Sequence, residues 1–276
     1  MFDNRRVAVV IPAYNEKLLI ATTVRTVSDA VDEIIVVNDA STDKTAEVLE
    51  RLRPEVPRLT VINLTANRGI GGALKTGYRY ALDETDADLI GTMAGDAQCD
   101  PAYIEPMLQI QAVAGPDFVK ASRFRGHDEE LKAMPTYRRI GNQVITGLTQ
   151  LATGYYNVTD SQNGYGFFTR DIFERLDWDL VGERYDYENT ILVALSLAGA
   201  RVREIGVPAI YGDETSTISF WPTTYRALRA VAISLARRWR HQLRTNGPSS
   251  FTALLPAGIL LVGTEPARAA VRAMRG

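Results

Sequence analysis

The 276-residue sequence is poor in the residues that staple or span: one cysteine, Cys99, two histidines, His127 and His241, and no long uninterrupted apolar run. A single thiol excludes an internal disulfide framework, and two histidines so far apart do not suggest a zinc site, which leaves them solvent-facing roles. With no histidine beside it in sequence, Cys99 reads as incidental rather than nucleophilic. Excess charge is also lacking: 31 Lys and Arg against 33 Asp and Glu give a net −2, which argues against a general nucleic-acid binder. The N-terminal MFDNRRVAVVIP enters a strand-like run with no separate apolar leader, predicting a cytoplasmic protein. The best membrane candidate is the uncharged stretch 245–264, whose apolar part, 251–263, is interrupted by Pro256. As a helix that part covers about 20 Å against a hydrocarbon core of roughly 30 Å, so it can dip into a bilayer without crossing it.

What is present is a chain with 46% hydrophobic residues, enough for the core of one large or two small domains. Its charge is divided by position. Beyond Glu214 the only acid is Glu265, against nine arginines, so residues 215–276 carry +8 and residues 1–214 carry −10. Residues 221–244 place Leu228, Val231, Ala232, Leu235 and Trp239 at helical spacing with arginines elsewhere, predicting a basic amphipathic helix. Two uses stay open for it: docking on anionic lipid, or packing on the acidic body. The expected organisation is a catalytic domain over 1–214, with a nucleotide-binding part to about 115 and an acceptor part after it, then an amphipathic tail over 215–276.

Residues 7–11, 33–37, 59–64 and 88–93 are short runs rich in Val, Ile and Leu, as in strands buried on both faces. Helix-length stretches at 16–30, 42–52, 69–82 and 101–114 alternate with them. That order implies an α/β fold, a Rossmann-like, mainly parallel sheet with helices on both faces and its chemistry in the loops after the strands. Further on, 118–122, 164–169 and 202–210 read as strands, and 137–152 and 186–200 as helices. Tyr155, Tyr156 and Tyr165 suit core packing, with a lipid or sugar path as the alternative.

The glycine-rich loop before the third helix fits neither standard phosphate fingerprint. Residues 69–74 lack the last glycine of the dinucleotide pattern, and 72–76 lack the glycine before Lys75 that a P-loop needs. What remains is a helix start that either meets an anion through its amides and Lys75 or lets backbone pack closely. Asp39, ending the second strand, either accepts hydrogen bonds from a nucleobase and ribose or caps the helix after it. Asp96 follows the fourth strand, where a carboxylate can hold a divalent cation against a diphosphate or simply shape a turn.

Together the loops IPAYNE at 11–16, VVNDASTDKT at 36–45, NRGIGGALKTG at 67–77 and GDAQCDP at 95–101 resemble the family 2 glycosyltransferases of the GT-A fold. The resemblance implies a nucleotide-sugar site for a UDP- or GDP-sugar. Pro12, Tyr14, Glu16 and Asp39 would surround base and ribose, and Asn67, Gly71 and Lys75 would complete the pocket. Asp96, with Ala97 and Gln98, would face the diphosphate and a divalent metal, Mg2+ or Mn2+. One departure is Ala94, where the family pattern has a carboxylate two residues before Asp96. Three explanations stay open: Asp96 works alone, position 94 carries an introduced substitution, or the chain binds donor without transferring it. The intact surroundings favour the second.

The second half, with ASRF at 121–124, TDSQNGYGFFTR at 159–170, RYDYEN at 184–189 and VPAIYGDETS at 207–216, resembles the dolichol- and polyprenyl-phosphate sugar synthases. That implies an acceptor site of Ser122, Arg123, Arg138, Arg139 and Gln162, arginine being suited to bidentate phosphate contacts, with solvated surface charge the alternative for Arg138 and Arg139. Gly166 stands where many relatives have a basic residue. A lipid-phosphate acceptor is already an anion and needs positioning only, whereas a hydroxyl acceptor needs a base, for which Asp160, Asp186 and Glu188 are the candidates, Asp96 serving the metal and diphosphate. The expected activity is inverting transfer to a polyprenyl or dolichyl phosphate by an enzyme peripheral to the cytosolic membrane face. Transfer to a soluble hydroxyl, donor binding without turnover and nucleotidyl transfer are the rivals.

Overall fold

A computed structural model describes residues 1–126, 128–131 and 134–210. The tail helix expected at 221–244, the apolar stretch after it, His127 and His241 lie outside the described residues.

Among the described residues seven strands form one sheet: β1 (Val7–Ala13), β2 (Glu33–Asn38), β3 (Leu59–Asn63), β4 (Leu89–Thr92), β5 (Phe118–Ser122), β6 (Gly166–Thr169) and β7 (Val202–Gly206), in spatial order β3-β2-β1-β4-β6-β5-β7. All run parallel except β6, which pairs antiparallel with β4 and β5. The helices are α1 (Ile20–Thr26), α2 (Thr45–Leu52), α3 (Gly69–Glu84), α4 (Ile104–Ala114), the single turn α5 (Asp128–Leu131), α6 (Thr136–Thr153), α7 (Arg170–Arg175) and α8 (Tyr187–Leu197).

Alternation along the buried strands sends side chains to two separate layers. Val7, Val9 and Ile11 pack with Ile20, Leu49 and Met107 from α1, α2 and α4 on one face. Ala8 and Val10 pack with Leu74 and Tyr78 of α3, Phe173 of α7 and Ile191 of α8 on the other. The sheet order runs outward from β1 in both directions, to β2 and to β4. Loops leaving the ends of β1 and β4 therefore diverge to opposite sides and open a crevice, the usual ligand position in such sheets.

Two expectations need correction. The helix expected over 16–30 is realised only over Ile20–Thr26: residues 17–19 form a turn before it and Val27, with an extended ψ of 127°, ends it, while Asn15 with a left-handed φ of +60° serves the neighbouring loop. Its Oδ1 accepts from Thr42 N at 2.8 Å, tying the loop after β1 to the loop after β2. Asp39 does not cap α2: the helix starts at Thr45, whose N–H reaches Asp43 at 2.9 Å. Asp39 bonds the start of α3 instead.

Candidate active site

Asp39 is buried at the end of β2 and accepts from Arg68 N at 2.7 Å and Gly69 N at 2.8 Å. The carboxylate thus occupies the N-terminus of α3, where unpaired amides and the helix dipole favour an anion. Asn67 Nδ2 donates to Asp39 O at 3.3 Å, closing the same corner. Gly72 N donates to Glu183 O at 2.9 Å, and a Cβ on Gly71 would lie 2.3 Å from Gly182 O. Close backbone packing therefore accounts for the glycines of this loop, and Lys75 is half-buried further along α3.

At the crevice between β1 and β4 lies a cavity of about 180 Å³. It brings together Pro12 from β1, Ala94 and Gln98 from the loop after β4, Arg123 from the loop after β5, and Gln162 and Glu188 from the second half. Residues expected in separate donor and acceptor groups share one enclosure. Tyr14 is 47% exposed and Glu16 half-buried on the loop after β1, outside the cavity wall. Arg138, half-buried, and Arg139, exposed, stand on α6 and do not line it either.

Asp96 Oδ1 accepts from Gln98 N at 3.0 Å across a turn in which Ala97 has a φ of +59°. Burial raises the Asp96 carboxyl above its ordinary value, opposed by the backbone N–H groups of Gln98 and of Asp96 itself. Such a carboxylate gains from an adjacent cation, and Mg2+ commonly takes one or two carboxylates with phosphate oxygens completing its shell. Asp96 is a single carboxylate beside, not in, the cavity wall, so only a cation whose shell a diphosphate completes would suit it. Among the described residues no group of three or more His, Cys, Asp or Glu could hold a metal ion on its own. At the neighbouring position Ala94 N donates to Cys99 Sγ at 3.4 Å. Burial pushes that thiol up to about 12, which keeps Cys99 protonated and non-nucleophilic.

The three remaining carboxylates are unlike one another. Asp160 is buried, accepting from Arg123 Nε at 2.8 Å, Nη2 at 3.0 Å and backbone N at 3.1 Å. Burial works to raise its pKa, but the Arg123 guanidinium prevails and holds the carboxyl below its ordinary value. Asp186 sits at the N-terminus of α8 and accepts from Arg184 N at 3.2 Å. Glu188, in the first turn of α8, is the only one of the three lining the cavity, and burial pushes its carboxyl up to about 7.

Ser122 Oγ bonds Thr159 Oγ1 at 2.7 Å and accepts from Phe124 N at 3.2 Å, so it shapes the turn that carries Arg123. Gln162 Nε2 donates to Asn189 Oδ1 at 2.9 Å, which fixes its amide at the cavity wall. A Cβ at Gly166 would lie 2.5 Å from Val119 O, so the strand pairing itself requires glycine there. Tyr165 is buried and lines the cavity, donating to Asp100 O at 2.9 Å, whereas Tyr156 is 46% exposed and not a core residue. Sequence reading missed Lys120 and Glu204, a buried ion pair behind Arg123. Their signal was a charged residue at the centre of each strand, Lys120 in FVKAS and Glu204 in VREIG, blurred in the second by Arg203 beside it.

A mainly parallel sheet with its cavity at the β1/β4 divergence and a carboxylate loop after β4 defines a GT-A-type glycosyltransferase fold. The chain belongs to glycosyl transferase family 2, whose description matches residues 8–177. It is 29% identical over 223 residues to the UDP-N-acetylglucosamine–dolichyl-phosphate N-acetylglucosaminyltransferase of Methanococcus voltae, covering 76% of this chain and 88% of the relative. It is 29% identical over 205 residues to the undecaprenyl-phosphate mannosyltransferase of Micrococcus luteus, covering 73% and 82%. Its fold matches glucosyl-3-phosphoglycerate synthase from Mycobacterium tuberculosis, solved with Mn2+, UDP and product, at a TM-score of 0.61 and 18% identity, covering 84% of this chain and 81% of the other.

Proposed function

We propose that this glycosyltransferase moves a sugar from a UDP- or GDP-sugar to a polyprenyl or dolichyl phosphate, with inversion. The observation that carries the reading is the cavity in which the loop after β4 faces Arg123 and Gln162. Dolichyl- and undecaprenyl-phosphate activities of relatives over most of the chain support the acceptor class.

In this reading Pro12, Tyr14, Glu16 and Asp39 surround the base and ribose, with Asn67, Gly71 and Lys75 framing them. Asp96, Ala97 and Gln98 face the diphosphate. A divalent cation, Mg2+ or Mn2+, held by Asp96 and the donor would screen the charge of the departing diphosphate. An acceptor phosphate oxygen attacks the anomeric carbon as the bond from that carbon to the diphosphate oxygen breaks, the electron pair leaving with the diphosphate. The nucleophile is already anionic, so Arg123 orients it and no proton is moved. Asp160, tied to Arg123 on both oxygens, acts as a positioning residue and not as a base.

Peripheral attachment to an anionic membrane surface belongs to the same proposal. Helix α6 contains no acid and carries Arg138 and Arg139, and it exposes Tyr137, Ile140, Val144 and Leu151 along one side. That combination suits a lipid interface. Its inner side bonds Ser161, the neighbour of the cavity-lining Gln162, through Thr146 Oγ1 at 3.1 Å from Ser161 Oγ. No helix among the described residues is long and apolar enough to cross a membrane.

A second reading, transfer to a soluble hydroxyl, is favoured by Glu188, whose carboxyl faces the cavity and sits near 7, as a general base requires. Glu188→Gln separates the two. With a hydroxyl acceptor the rate falls by about 10²–10⁴, the usual worth of a general base, and with a lipid phosphate by about tenfold or less.

A further inference from the structure

Lys120 and Glu204 face each other in register across β5 and β7, with side chains 2% and 0% exposed and Nζ 3.6 Å from Oε1. Two charges removed from water persist only where their geometry compensates, and an apolar pair of the same volume often serves stability as well or better. Their bonds converge on one segment. Lys120 Nζ donates to the backbone carbonyl of Asp160 and, at 3.2 Å, to that of Ala121. Glu204 Oε2 accepts from Thr159 N at 2.9 Å and Thr159 Oγ1 at 2.7 Å, and Oε1 accepts from Asp160 N at 3.3 Å. Arg125 joins from outside, its Nε 3.0 Å from Glu204 Oε2 and its Nη2 2.9 Å from Asn157 O. The segment so held ends at the carboxylate that grips Arg123.

We infer that Lys120 and Glu204 are positioning residues for acceptor recognition: they lock residues 157–160 so that Asp160 presents the Arg123 guanidinium to the cavity in one orientation. This rests on Arg123 contacting the acceptor anion and extends it to residues that line no acceptor surface. Loss of the lock leaves Arg123 able to pair with Asp160 in several geometries, and the entropy of ordering it then falls on acceptor binding.

The test uses the full chain with E204Q and the double variant K120M/E204Q. The double variant removes both charges together and so preserves folding if the single change leaves Lys120 buried and unpaired. Both lose the carboxylate that receives the Thr159 and Asp160 N–H groups. Hydrogen exchange of the Arg123 Nε–H, assigned by its disappearance in R123K, is expected to quicken by about tenfold or more in either variant. The KM for a short, water-soluble polyprenyl phosphate is expected to rise about tenfold while the donor KM stays within about twofold. Unchanged Arg123 exchange in a folded variant overturns the inference whatever the substrate. An equal rise in both KM values assigns the pair a general structural role and overturns it too. A chain carrying Ala94→Asp that transfers sugar to a soluble hydroxyl but to no polyprenyl phosphate refutes the acceptor reading instead, and the exchange measurement still decides whether Lys120 and Glu204 hold Arg123.

Discussion

Arg123 and Asp160 meet fork to fork, with Nε 2.8 Å from Oδ2 and Nη2 3.0 Å from Oδ1, where Arg123 lines the cavity that it shares with the loop after β4. Asp160 is 0% exposed, so Arg123→Ala strands a buried carboxylate and is expected to cost about 3–5 kcal/mol, read from urea unfolding. Arg123→Met combined with Asp160→Leu should recover most of that stability without recovering transfer. The depressed pKa of Asp160 sets the sign with pH. Its stabilisation is present above the unfolded value of 3.8 and is lost as pH falls through the lower folded value, so acid unfolding of the double variant should be shallower.

Glu188 has the opposite linkage. Its carboxyl rises from 4.5 to about 7 on folding, so its contribution is fully present below pH 4.5 and is lost as pH rises through 7. Glu188→Gln should therefore stabilise the protein at pH 8, by at most about 3 kcal/mol, and leave stability at pH 4 nearly unchanged. Thermal unfolding at the two pH values checks this.

Asp39→Ala should lower stability by about 1–2 kcal/mol, since it removes the acceptor for Arg68 N and Gly69 N at the head of α3. Nucleotide binding, measured by calorimetry with UDP and GDP, should weaken about tenfold or more if the same corner holds base and ribose. Unchanged affinity for both nucleotides would remove Asp39 from the donor site.

Much of this was legible in the sequence because buried parallel strands are written as continuous Val and Ile runs, which fixed β1, β2 and β3 to within a residue or two. That the loops after β1 and β2 meet was legible from the parallel strand order, and the bond from Thr42 N to Asn15 Oδ1 realises it. Less visible was anything decided by long-range partners. Asp39 reads locally as a cap for the helix after it, yet its acceptor capacity goes to residues 29 and 30 positions away. Asp160, Asp186 and Glu188 are three acids within one stretch of the second half, and only folding separates an ion-paired carboxylate, a helix-start carboxylate and a cavity carboxylate. Lys120 and Glu204 depend on β5 and β7 lying side by side, which no local pattern announces.

The outer side of α6 provides a prediction about the membrane. Ile140→Glu with Val144→Glu should reduce flotation with anionic vesicles several-fold at unchanged secondary structure, and removal of residues 215–276 should reduce it in a salt-sensitive way. Flotation unaffected by either change would exclude both α6 and residues 215–276 as the membrane contact, and no flotation at all would place the protein away from lipid.

Ala94 bears on whether the chain turns over at all. Introducing a carboxylate with Ala94→Asp should raise transfer at saturating Mn2+ by about tenfold or more and make it more sensitive to chelation by EDTA. No gain would mean that Asp96 suffices or that the chain binds donor without transferring it.

The most direct measurement sets a short polyprenyl phosphate against soluble hydroxyl acceptors such as 3-phosphoglycerate, with labelled UDP- and GDP-sugars and Mn2+ or Mg2+, on the chain as it stands and on Ala94→Asp. Labelled sugar should appear on the polyprenyl phosphate, with release of the nucleoside diphosphate and no dependence on a base at Glu188. Label on a hydroxyl acceptor alone, abolished by Glu188→Gln, would contradict that account.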